Sequence, residues 1–376
     1  MPAAANTSFY RTAGKPPRPR RWIPLSLRLY VAILVSLGLG SALWIGIRSY
    51  RQYSAIQHLE RMYIRSGTSP HWGAVQVAKT GPGWLRSQAG EQWMKAFDPA
   101  LSVQLTGVEF TNADLVRFSA LPETETVELI DTGITDDGLK LLHVLNGLKS
   151  LQIERAQITD SGLEHLRGFT RLAWLGLNGM PITDVGLANL NGLTSLQMLS
   201  LRDTKVTDAG LVHLKGMSAL QALELDGTPV EGAGLAQLNG LSSLWCLYLS
   251  NTRVTDAGLA HLKSMASLEG LRLSNTPVTD EGLLHLKELP SLRALWVDGT
   301  HLTDAGLVHL KELASLRALR LDNTPVTDTG LAQLRGLTGL RLLWLANTHV
   351  SDAAVAQLQR ALPGLKITRN ESGLFP

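Results

Sequence analysis

The chain has 376 residues with one Cys, 18% charged and 44% hydrophobic residues, and a formal charge of +3. One Cys excludes an intramolecular disulfide framework, a Cys-based zinc site and an iron–sulfur cluster. The charge is unevenly distributed. Residues 1–65 contain ten Lys or Arg and a single acid, Glu60, so this segment carries a charge of +9. The remaining residues therefore carry 3 − 9 = −6, and an acidic body argues against a nucleic-acid partner.

The N-terminal region is typical of a membrane anchor. Residues 1–28 are basic and Pro-rich, and we expect them to form a cytoplasmic tail without regular structure. Residues 29–47 form an uncharged run between Arg28 and Arg48. As a helix this run would span roughly 28 Å, close to the ~30 Å hydrocarbon core of a bilayer. Because Lys and Arg are denser before the run than after it, the sequence predicts a single-pass anchor in the cytoplasmic (inner) membrane. The N-terminus would lie inside and the remaining chain outside.

A cleaved signal peptide is the alternative, since Gly40-Ser41-Ala42 matches a small-x-small cleavage pattern. The uncharged run is longer than a usual signal-peptide core and continues past Ala42, which favours an uncleaved anchor. Residues 48–70 are then predicted to be a juxtamembrane linker. Residues 71–100 are predicted to be an amphipathic N-terminal cap, whose large apolar side chains are Trp72, Trp84, Trp93, Met94 and Phe97.

A tandem repeat of 24 residues, the spacing between Asp136 and Asp160, occupies positions 101–361 in about eleven copies. The unit reads L-x-x-L-x-L-x-x-T-x-V-T-D-x-G-L-x-x-L-x-x-L-x-x. Its Asp recurs from Asp136 to Asp352 and is replaced once, by Gly232. Ten copies are plain, and a weaker one begins near Val103. Residues 362–376 restart the strand pattern and are predicted to form a closing strand and tail.

This unit resembles the leucine-rich repeat, in particular the Thr-Asp-x-Gly-Leu tandem arrays of bacterial proteins and, more distantly, the ribonuclease-inhibitor-like superfamily. The resemblance implies an α/β solenoid, a curved horseshoe with a parallel sheet on the concave face and short helices on the convex face. The residues themselves agree, because Leu-x-Leu alternation is typical of a strand and three-residue apolar spacing of a short helix. Thr stands where Asn or Cys is usual. Two copies have Ala156 and Met180 at the position of this Thr, which predicts an interruption in the ladder of side chains there.

Candidate chemistry is sparse. The repeated Asp could bind calcium or cap the helix that it begins, and capping is favoured because no calcium-loop motif accompanies it. Cys246 lies in a predicted strand without an assignable His partner, and no P-loop, zinc-protease or nucleophile-elbow motif is present. The sequence therefore predicts no enzyme activity, no cofactor and no metal. Histidines on the outer helix faces are predicted to lie too far apart to share a metal; they are His165, His213, His261, His285 and His309.

The concave face offers a candidate binding surface in its C-terminal half. Its outward column there is Tyr248, Arg272, Trp296, Arg320 and Trp344, and a second column holds Arg293, Arg317 and Arg341. Aromatic and Arg side chains are enriched in interface hot spots, although a solvated sheet with internally paired arginines would use the same residues.

We predict a membrane-anchored binding module, a receptor or scaffold for a protein or other macromolecule. The alternatives are a cytosol-facing regulator of an enzyme, nuclease-inhibitor-like or GTPase-activator-like, and a structural or adhesive envelope protein.

Overall fold

The computed structural model describes residues 25–65, 75–79, 94–95, 98–107 and 109–370, and gives side chains of the first helix for 40–41 and 43–62. The chain divides into two compact units, Met1–Tyr50 and Arg51–Pro376. Within the described residues, no helix combines the length and the apolar character needed to cross a membrane. The side chains of 29–39, most of the predicted anchor, lie outside the described residues, as do residues 1–24, Trp72, Trp84, Trp93 and Phe97.

Thirteen strands among the described residues form one sheet in chain order. The first pair is antiparallel, and every later pair is parallel, with each residue beside its equivalent in the next repeat, so that Leu295 lies between Leu271 and Leu319. The parallel sheet is therefore confirmed, and it includes the segments around Val103 and Ile367. The strands are β1 (Val75–Val77), β2 (Ala100–Thr106), β3 (Thr126–Ile130), β4 (Ser150–Glu154), β5 (Trp174–Asn178), β6 (Met198–Ser200), β7 (Ala222–Glu224), β8 (Cys246–Tyr248), β9 (Gly270–Arg272), β10 (Ala294–Trp296), β11 (Ala318–Arg320), β12 (Leu342–Trp344) and β13 (Lys366–Thr368).

Short helices follow the strands, and Asp begins most of the α-helical ones. The α-helices are α1 (Leu25–Arg65), α2 (Asn112–Leu115), α3 (Asp136–Leu141), α4 (Asp184–Leu187), α5 (Asp256–Leu259), α6 (Asp280–Leu286), α7 (Asp304–Leu310), α8 (Asp328–Gln333) and α9 (Asp352–Ala361). The 3₁₀ helices are Val116–Ala120, Leu142–Val144, Gly162–Leu166, Ala188–Leu190, Gly210–Leu214, Ala233–Leu238, Ala260–Leu262 and Leu334–Gly336.

The core lies between the sheet and the helices. In one repeat, Leu295 and Val297 of the strand region and Leu307 and Leu310 of α7 are all fully buried. Because strand side chains alternate between the two faces, Trp296 must point to the opposite, helix-free face. The repeat pattern thus places the first and the last residue of a three-residue strand such as β10 on the open face.

The Thr that replaces the usual Asn or Cys bonds within its own repeat. Thr276 Oγ1 donates to the Leu273 carbonyl at 2.6 Å, and Thr300 Oγ1 donates to the Val297 carbonyl at 2.6 Å. A buried hydroxyl and a buried carbonyl are thereby paired at the turn after the strand. Ala156 and Met180 are buried at this position and have no hydroxyl, and the buried hydroxyl of Thr132 has no partner. The series of bonds therefore begins at Thr204 and is not merely interrupted at 156 and 180.

The repeated Asp joins neighbouring repeats, which differs from the expected cap of its own helix. Asp280 Oδ1 accepts from the Thr303 backbone N–H at 2.8 Å, and its Oδ2 accepts from Thr303 Oγ1 at 2.6 Å. The N-terminus of α6 is capped by Thr279, whose Oγ1 accepts from the Glu281 N–H at 3.3 Å. We call the pair of inter-repeat bonds the Asp–Thr staple. It also joins Asp136 to Thr159, Asp160 to Thr183, Asp184 to Thr207, Asp256 to Thr279 and Asp304 to Thr327.

The Gly of the Thr-Asp-x-Gly motif leaves room for this staple. A Cβ on Gly306 would overlap Oδ1 of Asp280, and a Cβ on Gly330 would overlap Oδ1 of Asp304. A contact between repeats therefore accounts for the recurrence of Thr and Gly after each Asp. The last copy departs from this pattern, because Asp328 makes the same two bonds to Ser351 with Ala354 at the Gly position.

The interruption at Gly232 is compensated by backbone contacts. Asp208 accepts from three backbone N–H groups, those of Glu231 at 2.8 Å, Gly232 at 3.0 Å and Gly234 at 2.6 Å. Gly232 has φ +117°, and its Cα lies so near Gly258 that a Cβ on either residue would overlap the other's backbone. A close glycine–glycine approach thus replaces one staple.

The N-terminal end of the second unit is covered by the last part of α1, in the stretch expected to be a linker. Ile56 and Leu59 are fully buried in the core. His58 Nε2 lies 2.9 Å from an Asp114 carboxylate oxygen, and Glu60 pairs with Lys95 at 2.7 Å. Residues 51–62 therefore act as part of the cap, together with β1.

At the C-terminal end of the described residues, no Thr of a further repeat lies beside Asp352. Its carboxylate pairs instead with Arg369, whose Nη2 also donates to the Val350 carbonyl at 2.7 Å. Arg369 therefore takes the place of the Thr that a further repeat would supply.

Candidate functional site

The side chains of the last residues of β8–β12 form one continuous row on the open face. In register, Tyr248 lies beside Arg272, Arg272 beside Trp296, Trp296 beside Arg320, and Arg320 beside Trp344. Neighbouring strands are about 4.8 Å apart, so neighbouring side chains of the row are within contact distance. We call these five residues the central column.

Arg272 is held between two aromatic rings. Its guanidinium carbon lies 4.8 Å from the Tyr248 ring centroid and 5.4 Å from that of Trp296. Such cation–π contacts fix a long side chain that would otherwise sample many rotamers. The three residues therefore form a rigid, flat surface.

Arg320 is held by carboxylates. Its Nε lies 2.7 Å from an oxygen of Asp322 and 3.7 Å from one of Asp298. Asp322 is itself fixed, because its other oxygen accepts from the Ala346 N–H at 2.6 Å. The charge of Arg320 is therefore compensated by two carboxylates.

The arginines of the second predicted column lie outside the central column, at the edge where the strands begin. Arg293, Arg317 and Arg341 each precede the first residue of their strand. Arg293 pairs with Glu269 at 2.7 Å. Arg317 and Arg341 donate to backbone carbonyls of the preceding turn. We call these three residues the basic edge.

The N-terminal half of the open face has a different character. Glu154 accepts from Gln152 Nε2 at 2.7 Å and from Asn178 Nδ2 at 3.1 Å, and Ser200 Oγ lies 2.6 Å from Glu224. This polar network satisfies itself across β4–β7 and contains no aromatic side chain. Along the row of outward side chains that continues Gln152, Ser200 and Glu224, aromatic residues therefore begin only at Tyr248.

Two further exposed tryptophans were not singled out from the sequence. Trp174 begins β5 and is 39% exposed, and Trp245 precedes β8 and is 45% exposed. Trp174 and Trp245 occupy other positions of the repeat than the central column. A comparison of every repeat position, and not mainly that of the central column, would have found them. They lie away from the central column and provide matched controls for it.

Cys246 lies in β8 and is 4% exposed. Burial raises the pKa of its thiol and also that of the neighbouring Tyr248 phenol. A buried, protonated thiol is a poor nucleophile. Within the part of the chain that the structure describes, no group of three or more His, Cys, Asp or Glu side chains could hold a metal ion.

These features define the class of fold: an α/β solenoid of the leucine-rich-repeat kind, with a parallel sheet and one face free of helices. No protein-family model matches the sequence, and no curated protein matches it.

Solved structures do resemble it. An internalin (inlF) from Listeria monocytogenes strain 4b F2365 aligns with a TM-score of 0.49 and 22% identity, covering 76% of this chain and 94% of its own. Internalin C2 from the same strain aligns with a TM-score of 0.38 and 25% identity, covering 63% and 84%. A TDR receptor aligns with a TM-score of 0.50 and 14% identity over 72% of this chain and 47% of its own, which shows a shared fold.

Proposed function

We propose that this protein is a membrane-anchored binding module, a receptor or scaffold that recognises a protein partner through the central column. Residues 29–47 would anchor it in the cytoplasmic membrane with the N-terminus inside, and the repeats would lie outside. The mechanism is surface complementarity, without a chemical step.

The observation that carries this proposal is the unbroken aromatic and Arg surface of β8–β12. Trp, Tyr and Arg dominate the energetics of protein interfaces. Here they occupy five successive open-face positions, and Arg272 is already fixed between two rings. A rigid surface loses little side-chain entropy when a partner binds, which favours recognition over a purely solvated role.

The anchor is supported by the sequence alone. An uncharged run, 29–47, lies between basic residues, and the excess of positive charge on the N-terminal side favours that side in the cytoplasm. Protease protection tests the orientation. We expect external protease to digest the repeats in spheroplasts, and protection until the membrane is broken would refute the orientation and favour a cytosolic regulator.

Alanine substitution tests the binding surface. We expect Trp296→Ala and Trp344→Ala each to reduce partner recovery after in-cell crosslinking by about 30-fold, the effect of losing a hot spot of ~2 kcal/mol. Trp174→Ala removes an equally large exposed side chain outside the central column and should leave recovery unchanged. Equal losses in all three variants, or none, would contradict the proposed binding surface.

A further inference from the structure

The basic edge differs from the central column in how its charges are compensated. Arg293 has a carboxylate partner in Glu269, and Arg320 of the central column has two. Among the described residues, no carboxylate pairs with Arg317 or Arg341. Two exposed positive charges therefore remain uncompensated on a body whose residues 66–376 carry −6.

Both guanidinium groups are nevertheless held in place. Arg317 Nη1 donates to the carbonyls of Ala314 and Leu316, each at 3.2 Å. Arg341 Nη1 makes the equivalent bonds to Thr338 and Leu340, each at 3.1 Å. In both repeats these bonds use only Nη1 of the guanidinium group. The N–H groups of Nε and Nη2 can therefore donate hydrogen bonds to another molecule.

The space beneath Arg317 is provided by a glycine. A Cβ on Gly339 would overlap Nη1 of Arg317, whereas a Cβ on Gly364 would lie 3.8 Å from Nη1 of Arg341, an ordinary contact. Neither glycine has a positive φ. Gly339→Ala would therefore displace the Arg317 guanidinium without removing its charge, and Gly364→Ala would leave Arg341 in place.

We propose that the basic edge binds an acidic segment of the partner protein, with carboxylates on Arg317 and Arg341 and apolar side chains on Trp296 and Trp344. This inference rests on the proposed function and specifies the chemistry of the partner. A guanidinium with Nε and Nη2 available matches the two oxygens of a carboxylate.

The dimensions suit one extended segment. The two arginines lie on neighbouring strands, about 4.8 Å apart, and the central column lies three positions further along each strand, about 10 Å away. Both guanidinium groups bond to carbonyls that precede their strands, so a peptide must extend beyond about 10 Å to contact both rows. An extended peptide rises about 3.3 Å per residue, so roughly five or six residues suffice. A phosphate polymer is disfavoured, because its affinity depends on many simultaneous cation contacts and the body of this protein is acidic.

Selection from a random twelve-residue peptide display library on the full-length chain tests the proposal. We expect enriched peptides to be rich in Asp and Glu with at least one large apolar residue. The best peptide should lose at least about tenfold in affinity when Arg317→Glu and Arg341→Glu are combined. Arg360→Glu combined with Arg335→Glu changes the net charge equally on the helical side of the solenoid and should have little effect.

The glycine variants separate position from charge. Gly339→Ala should weaken the affinity for the peptide by about two- to tenfold, because the peptide must then bind an arginine that is no longer held in place. Gly364→Ala should match the wild type, and thermal melts should show all variants folded.

Enrichment of non-acidic peptides, or no enrichment, would overturn this inference. So would equal binding by the Arg317/Arg341 and Arg335/Arg360 charge-reversal variants, or tighter binding of single-stranded DNA, heparin or anionic vesicles than of the acidic peptide. If the tryptophan variants still lose the crosslinked partner in these cases, the proposed function stands and only the acidic chemistry fails.

Discussion

Replacing Asp280 by Ala tests whether the repeated Asp stabilises the next repeat or its own helix. Asp280 begins α6 and staples Thr303 of the following repeat. Asp352 begins α9 in the same way, but its partner is Arg369. Both substitutions remove a negative charge from the first turn of a helix, which is worth about 0.3–1 kcal/mol. Only Asp280→Ala removes a staple.

The expected magnitudes differ clearly. Asp280→Ala breaks two hydrogen bonds to a charged acceptor, because the N–H and the hydroxyl of Thr303 both donate to the Asp280 carboxylate. At about 1 kcal/mol each, the value for an ordinary hydrogen bond because Thr303 is exposed, we expect a loss of about 2 kcal/mol in addition to the helix-end charge. Asp352→Ala should lose about 1 kcal/mol or less, since it loses the helix-end interaction and an exposed ion pair.

Urea unfolding followed by circular dichroism measures both losses, and hydrogen exchange at the start of α7 should rise only in Asp280→Ala. Gly306→Ala provides a double-mutant cycle, because its Cβ overlaps Oδ1 of Asp280. Its cost should fall when Asp280 is already Ala. Equal losses for the two Asp variants, or strict additivity in the cycle, would refute the staple.

Three further predictions concern other parts of the molecule. Ile56→Ala should destabilise the N-terminal cap by about 2–5 kcal/mol, because Ile56 is fully buried; unchanged urea unfolding would contradict its place in the core. Cys246 is the chain's single thiol, is buried and has a raised pKa, so a disulfide reagent should modify it at least about 100-fold more slowly in the folded than in the unfolded chain. Burial and the nearby Glu154 carboxylate raise the pKa of Glu128, so its ionised form destabilises the fold above that pKa. Glu128→Gln should therefore raise the free energy of unfolding at pH 7, and the gain should shrink as the pH falls through the raised pKa. A gain that is constant with pH would refute that cause.

The repeat made most of the fold predictable. A constant repeat length and the Leu-x-Leu alternation determine which residues are core and which face outward, and β3–β12 follow that register. The central column could be predicted for the same reason, since alternation is a local rule. Residues 48–70 were expected to be a linker because they follow the apolar run, yet Ile56 and Leu59 belong to the core. Their burial depends on a surface formed by repeats that begin only near Val103, far along the chain.

The sequence by itself determined the α/β repeat architecture, the strand register and the central column, because each follows from a period that the chain repeats many times. Only the tertiary structure decided the partners of the polar groups. Asp280 bonds to Thr303 in the next repeat, and Arg317 is clamped by carbonyls of the preceding turn. Rules of helix capping consider residues a few positions apart. The distance between one turn of the solenoid and the next is set by packing, and that packing brings each carboxylate to the Thr of the following repeat.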